Sequence, residues 1–430
     1  MSVRNILVLF DQEGDTRQLQ KLSGRQEHEY RFFYEGFDLF RFPSNATLLW
    51  FDIYQFVEYL TKKYQSRRVD GIVSSHEQFG AMVTGLLGER LGLPAMSIRA
   101  LLNAQHKSLA RQLLQRHVPE ATVPFATFPY KVKSSDEIGL PFPFYTKPVK
   151  AAYSVLARRV DSFAELKRHL DFQPWEMFII KRLVRPFNDV VERLGASDIN
   201  GHWMIAEQLI DGVQVNVDGF MENGEVHLLG VVDAVMYPGT DAFLRWDYPS
   251  RLAPPAIERI LQIARAAVVA LELDHGLFNV ELRLDERTGS CKVIEVNPRL
   301  AKQFSDMYEA VDGINLHALA IRLALGEPSD IALLRAAGGK RKLATSFVYR
   351  RFDSKPQENF PGTAEVAALA AFDPNAHLIT FEKRRGELKR EFRWLQSYRY
   401  ALLNMAADSE AELTEKYLRA SAILGFPTHP

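Results

Sequence analysis

Two runs of the chain, Phe278-Asn-Val-Glu-Leu-Arg-Leu284 and Cys291-Lys-Val-Ile-Glu-Val-Asn297, constrain its fold more than any other stretch. Asp-Glu-Arg-Thr-Gly-Ser joins them, so they read as a β-hairpin. Period-two alternation puts Asn279, Glu281 and Arg283 on one face of the first strand. It puts Cys291, Val293, Glu295 and Asn297 on one face of the second. Antiparallel pairing then sets Glu281 across from Glu295, with Asn297 beside them. Val280, Leu282, Ile294 and Val296 make the opposite face apolar. Facing carboxylates repel unless a proton or a cation lies between them. Two carboxylates and an amide form an all-oxygen donor set of the kind that suits Mg²⁺. An exposed hairpin face with ordinary charges fits the same alternation, and pattern alone does not choose between the two.

Around this hairpin the chain alternates strand-like and helix-like stretches. The apolar run at 6–10 and Asp70-Gly-Ile-Val-Ser-Ser75 read as buried parallel strands, with helices expected over 48–64 and 76–91. Gly92-Leu-Pro94 stops the second helix. No G-x-G-x-x-G follows the first strand, so this Rossmann-like layer carries no dinucleotide fingerprint. A helix over 106–117 comes next, then a Pro-punctuated region and a smaller α/β piece over 145–205 with a helix near 162–170. The turn at Glu222-Asn-Gly224 is a strong hairpin signal. Helices follow over 254–273 and 316–325, and the loop-like composition after Gly326-Glu-Pro328 marks a boundary.

With 430 residues the chain is long enough for several domains of roughly 100–200 residues each. Lys plus Arg and Asp plus Glu both number 53, which excludes a global electrostatic grip on nucleic acid or an anionic membrane. The single cysteine, Cys291, excludes an intrachain disulfide framework. The apolar run near the first residue is too short for a secretory signal, and no stretch is apolar enough to span a membrane. A cytoplasmic location is the expectation.

Glu295-Val-Asn-Pro-Arg299 resembles the E-x-N-x-R motif of the ATP-grasp superfamily, and Glu281 stands where that family has its other metal-binding glutamate. The rest of the family pattern follows in order over residues 100–325. Lys107 resembles the lysine that opens a helix and binds ATP. Lys147, in Phe-Tyr-Thr-Lys-Pro, resembles the second ATP lysine at the end of a lid strand. Glu207-Gln208-Leu209-Ile210 resembles the hinge strand whose backbone binds adenine, and Gln214 falls where many relatives carry a ribose-binding Glu. The order of domains resembles the carboxylate–amine ligases and the biotin-carboxylase-like group. That resemblance implies an α/β fold with a Rossmann-like domain over 1–104 and a two-lobed ATP-grasp core over 105–326, its lid at about 120–205. A small C-terminal α+β domain over 327–430 completes it.

The resemblance further implies an ADP-forming ligase that activates a carboxylate as an acyl phosphate and lets an amine attack it. Its cofactors are ATP and Mg²⁺, or Mn²⁺ on the same donors: Glu281, Glu295 and Asn297. Arg299 would hold the acyl phosphate and Lys147 the transferring phosphoryl group. Transfer to a non-amine acceptor, or an ATP-binding regulatory or structural protein without turnover, are the alternatives. The partners implied are small-molecule carboxylates and amines, with a homodimer among the assemblies the domain order allows. Two departures stand out. The lid loop reads Lys150-Ala-Ala-Tyr-Ser154 with no glycine, leaving the Ser154 hydroxyl and Lys150 to help, and Gln214 replaces the ribose Glu. Glu77 could bind the amine, although Ser74…Glu77 also reads as a helix capping box. Tyr237 and Arg245 are candidate substrate contacts, with a turn and a surface charge as the plainer readings. Lys150 and Lys302 read by themselves as solvated charges.

Overall fold

A computed structural model describes residues 3–428 except 12, 23–28, 40–43, 152–155, 196–199, 337, 354, 384–387 and 389–395. Its first layer grows from the apolar run Ile6-Leu-Val-Leu9, buried within strand β1 (Val3–Leu9). β1 pairs in parallel with β2 (Glu29–Glu35) and β3 (Gly71–Val73), in the order β2-β1-β3. The helix expected over 48–64 starts at Ile53, because the Asp52 carboxylate accepts the Gln55 N–H at 2.9 Å and caps it. The helix expected from 76 starts only at Gly80. Residues 74–79 form a turn instead: the Ser74 hydroxyl donates to the Leu9 carbonyl and accepts the His76 N–H. A Cβ at Gly80 would collide with that hydroxyl, so the tight turn depends on glycine here.

A second, four-stranded sheet has the order β4-β7-β5-β6, built from β4 (Phe125–Pro129), β5 (Phe144–Pro148), β6 (Arg158–Val160) and β7 (Trp203–Gln208). Phe128, Phe144, Val160, Leu166 and Met204 form its core. The helix Phe163–His169 begins after Ser162, whose hydroxyl accepts the Glu165 N–H. A 20-residue helix, Pro174–Arg193, is the longest in the described chain and was not expected from the sequence.

The third sheet has eight antiparallel strands in the order β12-β11-β8-β9-β10-β13-β15-β14. They are β8 (Val213–Glu222), β9 (Glu225–Met236), β10 (Phe243–Tyr248), β11 (Gly276–Asp285), β12 (Ser290–Asn297), β13 (Leu343–Arg351), β14 (His377–Thr380) and β15 (Tyr398–Ala407). β13 pairs with β10, so hydrogen bonding runs without a break across residue 326. The helix Pro254–Ala270 lays Ile260, Ile263, Ala264 and Val268 on Val215, Val217, Val280 and Leu282. Each large aliphatic side chain buried there stabilises the fold by roughly 1.5–3 kcal/mol. That helix covers one face of β8, β11 and β12 and leaves their polar residues on the other. Among the described residues no helix is long and apolar enough to cross a membrane.

Candidate active site

The hairpin pairs as its alternation requires: Glu281 lies opposite Glu295 and Asn279 opposite Asn297. Beyond that pair the register shifts, because Leu282 pairs with Val293 and Ile294 is left as a β-bulge. The bulge corrects one expectation. Cys291 and Val293 turn into the apolar core with Leu282 and Leu284 and do not share the face of Glu295. It also turns the Ile294 carbonyl outward, where Lys147 Nζ (3.3 Å) and Arg111 Nη2 (3.2 Å) donate to it.

Glu281 is the crowded member of the acidic pair. Asn297 Nδ2 donates to one of its oxygens at 3.2 Å and Gln214 Nε2 to the other at 3.3 Å. Burial, then the negative charge of Glu295, holds the Glu281 carboxyl well above its ordinary value. Burial also acts on Glu295, but Lys107 and Lys147 outweigh it and hold that carboxyl below its ordinary value. Facing carboxylates in this condition need a proton or a cation between them, which is the chemistry of a divalent-cation donor set.

Two lysines are built into the cleft by local structure. The helix Lys107–His117 starts at Lys107 because the His106 imidazole Nδ1 accepts the Leu109 N–H at 3.1 Å. Lys107 Nζ then reaches Glu295 (3.3 Å) and the Ala151 carbonyl (2.8 Å). One turn along, Arg111 is buried, its Nε 2.7 Å from Glu207 and its Nη1 2.6 Å from the Val293 carbonyl. Glu207 takes Lys147 Nζ on its other oxygen at 2.9 Å. Burial would raise the Glu207 carboxyl, but Arg111 and Lys147 outweigh it and bring it to about 2. Arg111 thus ties the hinge strand, the second lysine and the bulge together. Its i+4 spacing from Lys107 was the signal available in the sequence.

Glu77 and Arg299 lie 222 residues apart and meet at 3.0 Å, with both Nε and Nη2 donating to one carboxylate oxygen. The capping-box reading of Ser74…Glu77 is therefore overturned: the following helix has no side-chain cap, and Glu77 is engaged across the cleft. Gln214 sits beside Glu281 on the polar face of β8, next to Asn216 and Asp218. Gln208 ends β7 and Leu209 and Ile210 follow it; the Gln208 N–H donates to the Pro124 carbonyl and the Ile210 carbonyl accepts Arg283 Nη1. Tyr237 and Arg245 are occupied elsewhere. The Tyr237 hydroxyl donates to the Val348 carbonyl at 2.8 Å, and Arg245 Nε donates to Asp247 at 3.0 Å. Ser154 lies outside the described residues. Lys302 stands 3.9 Å from Asp15, in a cluster with His317 and Ser75.

Residues 140–306, which hold the hairpin, Lys147, the hinge and Arg299, match the ATP-grasp domain family. The chain carries an ATP-grasp domain. Its fold is that of an L-amino acid ligase from Bacillus licheniformis, with a TM-score of 0.70 over 98% of both chains at 19% identity. A carboxyaminoimidazole ribonucleotide synthase from Aspergillus clavatus, solved with ATP, gives a TM-score of 0.64 over 98% of both chains at 14% identity. Carnosine synthase 1 of Homo sapiens is 27% identical over 260 residues, which are 57% of this chain and 29% of that protein. The chain spans half or less of the length of the curated relatives it matches. Lys107, Arg111 and Glu77 lie outside the ATP-grasp match and are joined to it only by the folded geometry.

Proposed function

We propose that this chain is an ATP-dependent, ADP-forming ligase that activates a small-molecule carboxylate as an acyl phosphate and joins it to an amine. The observation that carries this reading is the opposition of Glu281 and Glu295 with Asn297 in the same patch, Lys107 and Lys147 against it, and Arg299 two residues on. In this reading Glu281, Glu295 and Asn297 hold Mg²⁺ or Mn²⁺. That ion, when bound, neutralises phosphate oxygens. Lys107 and Lys147 bind the phosphates, and the backbone of Glu207 to Ile210 takes the adenine. Gln214 steadies Glu281 and stands at the position proposed for ribose.

The chemistry then follows from placement. A carboxylate oxygen bonds to the γ-phosphorus as the bond to ADP breaks. Arg299 holds the acyl phosphate through its fixed fork of donors. The amine attacks the carbonyl carbon, phosphate leaves, and the amine gives up a proton. The names of the L-amino acid ligase and of carnosine synthase favour amino acids among the substrates. Phosphate release from Mg²⁺–ATP with pooled carboxylates, with and without pooled amines and amino acids, tests the reading. Release that needs both pools and falls by about 100-fold or more in Glu295→Gln is expected. Nucleotide binding with no release under any pool would contradict it.

A further inference from the structure

Lys150 reads from the sequence as a solvated charge, and the fold buries it. Its neighbours in the chain are pinned to the first ATP lysine: the Lys107 N–H donates to the Val149 carbonyl at 3.1 Å, and Lys107 Nζ to the Ala151 carbonyl at 2.8 Å. Lys150 Nζ donates to Gln105 Oε1 at 3.0 Å and lies 5.5 Å from the centre of the Phe187 ring. Gln105 Nε2 in turn donates to the carbonyl of Glu77, the residue whose carboxylate holds Arg299. Among the described residues no carboxylate forms an ion pair with Lys150. A buried ammonium matched only by an amide oxygen and a ring face is costly unless an anion completes it. A lysine stem is long enough to carry its charge out to water, and this one stays inside. Burial, opposed by Glu77 and reinforced by Lys107, brings its ammonium down to about 8.

The same stretch of sequence has no glycine from Pro148 to Ala157, so it lacks the residue that best lets backbone amides approach a phosphate. Building on the ligase reading, we propose that Lys150 is a third phosphate-binding lysine that contacts the γ-phosphoryl group of ATP as it passes toward the carboxylate held at Arg299. Its side-chain charge does the work that a glycine-rich loop would do with backbone N–H groups. No bond is made or broken at Lys150.

Equilibrium binding of Mg²⁺–ATP and Mg²⁺–ADP to the full chain, by calorimetry, tests this for the wild type, Lys150→Met and Lys150→Arg. A lost charge-assisted contact to the γ-phosphate predicts that Lys150→Met weakens ATP by about tenfold or more and ADP by less than about threefold. Lys150→Arg should keep most of the ATP preference. If Lys150→Met does not fold, Lys150→Gln, which loses the charge but keeps a polar end, carries the same comparison. An unchanged ratio of ATP to ADP affinity in a folded neutral variant overturns the inference and leaves the ligase reading standing. A wild type that binds neither nucleotide overturns both.

Discussion

Glu207 shows how much a single buried side chain does here. One oxygen takes Arg111 and the other Lys147, and Arg111 continues to the carbonyls of Val293 and Ile294. Glu207→Gln leaves two cations facing a neutral amide in a closed interior. Losing one partner of such a group costs about 3–5 kcal/mol, because the remaining charge stays desolvated. Urea denaturation should show that loss, together with weaker ATP binding as Lys147 loses its anchor. A variant as stable as wild type would mean that the buried triad is not what locks the hinge strand to the bulge. The sequence displayed Glu207 as a hinge residue, but its partners come from positions 96 and 60 residues away. Nothing local in the chain announces them.

At the scale of elements, the helix Lys107–His117 is placed by an unusual cap. His106 must present a neutral Nδ1 to accept the Leu109 N–H, and burial keeps it neutral by holding it at about 4. His106→Ala should cost about 1 kcal/mol in thermal or urea denaturation, whereas His106→Asn, a strong N-cap, should retain most of it. Equal losses in both would show that packing against Phe187, and not the cap, sets the helix start.

The β11–β12 hairpin was legible because alternation with period two is a direct readout of two faces. Its bulge at Ile294 was not, since one extra residue leaves no mark in composition. The helix Pro174–Arg193 was hidden by Pro174 and Pro186, both of which read as breakers. Pro174 opens the helix at its first turn, where no N–H is needed, and Pro186 lies inside it. Glu77 had a sufficient local explanation as a cap, and a long-range ion pair displaced it. Lys150 looked solvated because lysines usually are.

At the scale of the whole molecule, the layers meet on Asp306, just beyond Arg299. Arg17 and Gln18 of the helix Glu13–Leu22, His377 of β14 and Asn404 of β15 all reach its carboxylate. Burial would raise that carboxyl, but His377 and Asn404 outweigh it and hold it far down. The pH response of the fold follows from groups of this kind. Burial brings His76 to about 3 and His106 to about 4, against an ordinary 6.5, while Glu207 sits at about 2 against 4.5. In each case the unfolded chain takes up the proton first as pH falls, so acid favours unfolding. The share of stability these three groups supply is complete above about 6.5, declines through the histidines toward about 3 to 4, and declines further below 4.5 through Glu207. Glu281, held above its ordinary value, acts the other way, but only above about 4.5, where the unfolded chain gives up that proton first. The urea midpoint should therefore be lower at pH 3 than at pH 4.5, a range in which Glu281 keeps its proton in the folded chain and the lowered groups do not, and an equal or higher midpoint would contradict this. In the proposed reaction a substrate carboxylate becomes an acyl phosphate. The direct measurement is to supply the carboxylates labelled with ¹⁸O, run the reaction with Mg²⁺–ATP and amines, and weigh the released phosphate. The released phosphate should carry an ¹⁸O atom from the carboxylate, whereas unlabelled phosphate from a turning-over protein would rule out an acyl phosphate.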